Sequence, residues 1–258
     1  MVQGIIDACA QIGSGDRAGD VLESGITVAQ VLANMDAAHV EQSVLYATTW
    51  SNYTNANAEV HEAVASQPNR FIGFARVNPT AADAERVLIH ALDRFQFKGI
   101  RLRPYHDNYA LSDSGVSRVL AIARDRHLPV ALDGERNKET LIRLVQEFPD
   151  VPIILLHLGS FDNWVWKNTL EYVSVLRDMP NFYMGTCFEI IHFLLEDLIR
   201  KVPAKVVFGS DSPTLPPIME LTRIDVMHLE PEHHALVMGG NLRRILRAVP
   251  QTAGRGQP

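Results

Sequence analysis

Eight short apolar runs, each followed by a stretch of helical spacing, recur along the chain and restrict its fold more than any other feature. They begin near Ile5, Gln42, Phe71, Phe97, Pro129, Pro152, Phe182 and Lys205, at intervals of 23 to 37 residues. Several are apolar at consecutive positions, as in Val151-Pro-Ile-Ile-Leu-Leu156 and Lys205-Val-Val-Phe208. A strand that is apolar on both faces must be covered on both, and the usual solution is a parallel sheet with helices against its outer side. The intervening segments supply those helices. Between 81 and 95, Ala84, Val87, Leu88, Ala91, Leu92 and Phe95 fall at three- and four-residue intervals and make one apolar stripe. Segments 114–126, 139–148 and 190–201 repeat the pattern. Thr27 with Gln30 has the form of a capping box, and Asn137 stands as an N-cap before Lys138.

Eight strand–helix units of about 29 residues, with no linker among them, describe a (β/α)8 TIM barrel, a single α/β domain over residues 1–250. The tail 251–258 is predicted to be disordered. A doubly wound open sheet is the rival. It uses fewer strands and a glycine-rich first turn, of which Cys9-Ala-Gln-Ile-Gly-Ser-Gly15 is a poor copy.

Charge and composition narrow the partners. Of the 258 residues, Lys and Arg number 24 against 30 Asp and Glu, for a formal net charge of −6, with no basic block to meet nucleic-acid phosphates. No apolar run reaches the roughly 18 residues of a membrane span. The start, Met-Val-Gln-Gly-Ile-Ile-Asp, lacks a secretory pattern. The two cysteines, Cys9 and Cys187, do not make a disulfide scaffold and fit a reducing compartment. The expectation is a cytoplasmic protein acting on a small molecule, with neither nucleic acid nor membrane as partner. A homodimer is expected by analogy with other barrels, although no segment marks an interface.

In such a barrel, chemistry sits at the C-terminal ends of the strands. Here those ends are polar. Strand one closes Ile6-Asp7-Ala8-Cys9-Ala10-Gln11, which at period two puts Asp7, Cys9 and Gln11 on one face. Strand four gives Arg101 and Arg103, with Ile100 and Leu102 turned to the helices. Strand five gives Asp133 and Glu135, strand six His157, and strand eight Ser210-Asp211-Ser212. Each has a plain structural reading: Ser212 as a helix cap, His157 as a satisfied core histidine, and the arginines paired with Asp133 and Glu135. Five strands of eight ending in ionisable or thiol groups is better explained by a pocket, because buried charge is costly unless paired or used. Aromatic residues follow the same ends: Trp50 and Tyr53, Tyr105 and Tyr109, Trp164 and Trp166. They serve either to anchor loops or to line a pocket for an aromatic substrate.

Taken together, these segments resemble the amidohydrolase-related family, also called amidohydrolase family 2. The matching stretches are Gly4-Ile-Ile-Asp-Ala8, Asn69-Arg-Phe-Ile-Gly-Phe-Ala-Arg-Val-Asn-Pro79, Phe97-Lys-Gly-Ile-Arg-Leu-Arg-Pro104, Pro152-Ile-Ile-Leu-Leu-His-Leu-Gly159, Val207-Phe-Gly-Ser-Asp-Ser-Pro213 and Val237-Met-Gly-Gly-Asn-Leu-Arg-Arg-Ile-Leu246, in family order. The resemblance implies a (β/α)8 barrel and metal-dependent decarboxylase or lactone-hydrolase chemistry. It also implies a His-x-His pair after strand one, a histidine after each of strands five and six, and an aspartate after strand eight. His157 and Asp211 match. Cys9, Gln11 and Asp133 stand where three histidines are implied, so the metal site is degenerate.

Cys9, Asp133, His157 and Asp211 are the set that would hold zinc or manganese if a metal is kept; the reading adopted is that none is. Asp211 is then the general base, His157 its acid partner, and Asp133 a second carboxylate that pairs with Asp211 and raises one of the two pKa values. Arg101 and Arg103 hold a carboxylate or an oxyanion, and Gln11, Trp50 and Tyr105 complete the substrate contacts. Cys9 is a nucleophile if its pKa is lowered, and otherwise a space-filling residue. The functional reading is a hydrolase of lactones or amides bearing a carboxylate or an aromatic group. A decarboxylase- or cyclase-like lyase or isomerase, and a catalytically inactive ligand-binding relative, are the alternatives.

Overall fold

The computed structural model describes residues 4–15, 25–134, 138–157, 173–187 and 191–248. All eight expected strands are present: β1 (Ile5–Ile12), β2 (Val40–Ala47), β3 (Phe71–Arg76), β4 (Gly99–Leu102), β5 (Val130–Asp133), β6 (Ile153–Leu156), β7 (Phe182–Gly185) and β8 (Val206–Val207). They pair in parallel in sequence order. The sheet closes on itself where Ala8 N donates to Phe208 O and Asp211 N donates to Cys9 O, each at 2.9 Å. Helices α1 (Val28–Ala37), α2 (Tyr53–Ser66), α3 (Ala84–Arg94), α4 (Pro104–Asp107), α5 (Ser114–Asp125) and α6 (Lys138–Glu147) alternate with the strands. The fold is a (β/α)8 barrel.

Side-chain alternation splits the core into two layers. Val130 and Leu132 pack outward with the helices, as do Ile153 and Leu155, while Ala131, Ile154 and Leu156 fill the barrel interior. Ile100 and Leu102 join the outer layer, which turns Arg101 inward. The α3 stripe is buried through Ala84, Val87, Leu88, Ala91 and Leu92. Fully burying one such aliphatic side chain is worth about 1.5–3 kcal/mol. α1 opens with the expected capping box: Thr27 Oγ1 accepts from Gln30 N at 3.3 Å, and Gln30 Oε1 accepts from Thr27 N at 2.8 Å.

Three local expectations change. The β1 register shifts between Asp7 and Ala10, so Cys9 packs in the interior with Ile6 and Ala8 and leaves the Asp7 face. Asp7 instead accepts from Ser210 N at 2.9 Å, Ser210 Oγ at 2.5 Å and Cys9 N at 3.0 Å. Ser212 is not a helix cap, since the next helix begins at Pro217 with Pro216 as its N-cap; its hydroxyl accepts from Asn34 Nδ2 at 3.3 Å. Tyr53 is a loop anchor, buried with its hydroxyl on Asp107 Oδ1 at 2.5 Å. Asn137, Glu135, Trp164, Trp166 and the 251–258 tail lie outside the described residues. Among the described residues, no helix is long and apolar enough to cross a membrane.

Candidate active site

At the C-terminal end of the barrel, His157 follows β6 and Asp211 follows β8. Both backbones are left-handed, with φ of 55° and 67°. Of the seven described non-glycine residues with positive φ, the other five (His39, Gln96, Asn108, His127 and His228) end helices, where one such residue is a common stop. His157 and Asp211 follow strands, where no helix stop accounts for it. Strain of this kind is retained where surrounding structure fixes a side chain for a purpose.

The two side chains meet. His157 Nε2 lies 3.1 Å from Asp211 Oδ1, and Nδ1 lies 2.9 Å from Asp133 Oδ1. Asp133, at the end of β5, also binds Arg101 through Oδ1 and Arg103 Nε at 3.0 Å through Oδ2. Burial alone would push the His157 proton off, but the two flanking carboxylates reverse this and hold its pKa well above the usual value. Burial would likewise raise Asp133 and Asp211. For Asp133 the opposing charges of Arg101, His157 and Arg103 win; for Asp211 those of His157 and Arg103 do, so both carboxyls sit below their ordinary value. The expected Asp133–Asp211 pair with one raised pKa is therefore corrected. An imidazole stands between the two carboxylates, and both are held ionised.

Arg101 is fully enclosed, stacked over the Tyr46 ring at 4.8 Å, with NH1 on the Leu102 carbonyl at 3.0 Å. The paired reading of the arginines describes it. Arg103 also pairs with Asp133 and reaches outward to Gln11 Oε1 at 3.1 Å and His106 Nε2 at 2.8 Å. Gln11 Nε2 donates to Thr214 Oγ1 at 3.2 Å. Tyr105, 69% exposed, sets its ring edge-on to His106 and so stands at the rim of this arginine. Trp50 packs against the outer core.

Cys9 Sγ lies 3.2 Å from Tyr46 Oη, 3.4 Å from Asp211 Oδ1 and 3.7 Å from His157 Nε2. Burial, then Cys187 and Asp211, push its thiol well above the ordinary value, so the condition set for a nucleophile is not met and the space-filling reading is the one favoured. The sequence reading passed over Cys187, Tyr46 and His106. Cys187 could have been found, since it stands two residues beyond β7, in the zone already searched on the other strands.

The expected metal set of Cys9, Asp133, His157 and Asp211 does not fit one ion. Asp133 and Asp211 face opposite nitrogens of the same ring, and the Asp133 oxygens are taken by two guanidinia. Gln11, at the second position implied for strand one, is engaged with Arg103 and Thr214.

Comparison with known proteins agrees with the fold. An uncharacterised TIM-barrel protein from Bordetella bronchiseptica matches with a TM-score of 0.79 at 17% identity, over 96% of this chain and 99% of that one. The 5-carboxyvanillate decarboxylase LigW from Sphingomonas paucimobilis matches at 0.71 and 17%, over 95% and 99%. A probable 2-pyrone-4,6-dicarboxylic acid hydrolase from Acinetobacter baumannii, with citric acid bound, matches at 0.70 and 14%, over 95% and 100%. No curated protein matches the sequence. At these identities the structures establish the barrel alone. A family model described as amidohydrolase matches residues 18–248, nearly the whole barrel and every strand end discussed above except that of β1. The chain belongs to the amidohydrolase-2 family.

Proposed function

We propose that the protein is a hydrolase of a small lactone or amide bearing a carboxylate or an aromatic group, acting at the C-terminal mouth of the barrel. The observation that carries this reading is the imidazole bracketed by two carboxylates, Asp133 at 2.9 Å on Nδ1 and Asp211 at 3.1 Å on Nε2. Hydrolysis needs one group to take a proton from water and another to return one to the leaving group. Asp211 is the base. His157 is the acid, polarising the carbonyl before it protonates the leaving atom. Asp133 is a positioning residue that fixes the ring through Nδ1, much as a buried carboxylate orients a catalytic histidine elsewhere. The charge pattern of the cluster supports the assignment, since it holds base and acid in working forms at the same pH.

Arg103 and Gln11, already joined at 3.1 Å, hold the substrate carboxylate by exchanging that bond for bonds to the ligand. Arg101 acts through Asp133. Cys9 lines the centre, with Tyr105 at the rim; Trp50, packed against the outer core, takes no part. A lyase is the second reading, favoured by the decarboxylases among the similar structures. In that reaction the substrate carboxylate leaves as carbon dioxide, and the electron pair left on carbon takes the His157 proton.

The test is turnover of a panel of lactones, amides and aromatic acids, read by product mass. A gain of one water supports the hydrolase; loss of carbon dioxide selects the lyase. Asp211→Asn is expected to lower kcat by about 10²–10⁴-fold. Full activity in that variant refutes the mechanism, and no turnover anywhere favours the inactive ligand-binding reading.

A further inference from the structure

The only two cysteines of the chain end in one place. Cys9 lies on β1 and Cys187 beyond β7, two strands that are not neighbours, because β8 runs between them. Yet Cys9 Sγ, Cys187 Sγ and a ring nitrogen of His157 all lie within 4.8 Å of one another, each buried. Asp211 Oδ1 adjoins two of them, 3.4 Å from Cys9 Sγ and 3.1 Å from His157 Nε2. Donors bound tetrahedrally at 2.0–2.3 Å from a zinc ion stand about 3.3–3.8 Å apart. Among Cys9, His157 and Asp211 the spacings of 3.1, 3.4 and 3.7 Å are close to that figure.

We propose that Cys9, Cys187 and His157 Nε2, with Asp211 at the fourth position, form a thiolate-rich site for one zinc-class divalent ion, a donor set different from the histidine-rich one that the family resemblance implies. Three further features support it. His157 turns its other nitrogen to Asp133 at 2.9 Å, the carboxylate contact that orients metal-bound imidazoles. Tyr46 Oη, 3.2 Å from Cys9 Sγ and 3.5 Å from Asp211 Oδ1, supplies an outer hydrogen bond. The charges also match: two thiolates and two carboxylates against one divalent ion and the guanidinia of Arg101 and Arg103, in a volume where uncompensated charge is costly.

Two sulfurs select zinc over manganese, which prefers oxygen donors. When bound, such an ion supplies Lewis acidity at the centre. The proposal rests on the reading of this cluster as the reactive centre; with the ion bound, Asp211 and His157 Nε2 hold it, and the base and acid roles assigned to them above belong to the metal-free protein.

The test uses untagged protein purified under reducing conditions without chelator. Elemental analysis is expected to find about one zinc per chain. Cobalt(II) exchanged into the site is expected to show intense thiolate-to-cobalt absorption in the near ultraviolet. Cys187→Ala and Cys9→Ala, checked for native circular dichroism, are expected to fall at least tenfold in bound metal and to lose the band. Gln11→Ala, at the other position implied by the family pattern, is expected to keep both. Less than a tenth of an equivalent in the reduced wild type, a cobalt spectrum without the thiolate band, or metal content unchanged in Cys187→Ala would each overturn the site. The wild-type spectrum decides even if a variant fails to fold. Turnover by chelated protein that remains sensitive to Asp211→Asn would uphold the proposed function and overturn any part for the ion in it. A loaded site with no turnover on the panel would leave the metal site and sink the proposed function.

Discussion

Replacing Asp133 with asparagine tests the electrostatic argument that underlies the site. The carboxylate is 3% exposed and meets three partners: Arg101, Arg103 Nε at 3.0 Å and His157 Nδ1 at 2.9 Å. Asparagine has nearly the same shape, so packing is preserved while the charge is lost. One of its two polar ends also becomes a donor that faces other donors. Removing one partner of a buried ion pair costs about 3–5 kcal/mol, because a buried charge is left behind. Two guanidinia share this carboxylate, which puts the expectation at the upper end, about 5 kcal/mol, against a total stability of about 5–15 kcal/mol for a typical domain. With about 2–4 °C of melting temperature per kcal/mol for a chain of this size, the fall is about 10–20 °C.

The control is Asp93→Asn, which breaks the Asp93–Arg126 pair, where the two side chains are 51% and 34% exposed. Exposed pairs contribute about 0–1 kcal/mol, so that variant is expected to melt within about 4 °C of wild type. Calorimetric melts of the three proteins in one buffer make the comparison. If Asp133→Asn melts no lower than Asp93→Asn, burial does not set the value of the pair and the reasoning is wrong. At a temperature where Asp133→Asn is folded, kcat is expected to fall by about 10²-fold or more, as for loss of a positioned acid, with KM little changed.

Two other substitutions test the fold around this centre. A Cβ at Gly99 would lie 2.4 Å from Phe74 Cζ, a fully buried ring, so Gly99→Ala is expected to cost about 1–3 kcal/mol in chemical denaturation; a neutral result would show that the interior layer can move. Burial raises the pKa of Asp7 from 3.8 to about 7 despite hydrogen bonds from Ser210 and Cys9. The protonated form is therefore favoured on folding, so stability present below pH 4 is lost as pH rises toward 7, by about 4 kcal/mol. In chelator-treated protein, Asp7→Asn is expected to flatten that slope; an unchanged slope would mean that Asp7 is ionised throughout.

Local patterning reveals the fold because its determinants are local. An apolar run and the stripe that follows it are each written within a few residues, and every strand begins within two residues of its run. What local patterning missed is the register shift in β1, where one irregularity moves Cys9 off the Asp7 face. The site was legible only as single residues at strand ends. Their partnerships depend on barrel closure, which sets β1 beside β8 and brings Cys187 from beyond β7 to within 4.8 Å of Cys9. Closure also puts the ring of His157 between Asp133 and Asp211, where the sequence alone suggested two adjacent carboxylates.

The residues that match the family pattern and those that depart from it differ in backbone. His157 and Asp211, the two that match, both hold a left-handed conformation at the end of a strand, which aspartate and histidine tolerate better than most side chains. Cys9, Gln11 and Asp133, the three that depart, all lie within strands, on extended backbone that accepts almost any side chain. A change at the first pair risks the geometry of the mouth. A change at the other three alters donor chemistry without asking a new backbone conformation of the strand. The thiol, amide and carboxylate found there sit on strand backbone, and Cys187, Tyr46, Arg101 and Arg103 are among the residues gathered around them. A carboxylate at 133 neutralises two arginines and steers the histidine, and a thiol at 9 finds a second thiol across the barrel. Each of these three side chains makes at least two polar contacts, so the thiol, the amide and the carboxylate are all built into the hydrogen bonding of the barrel end.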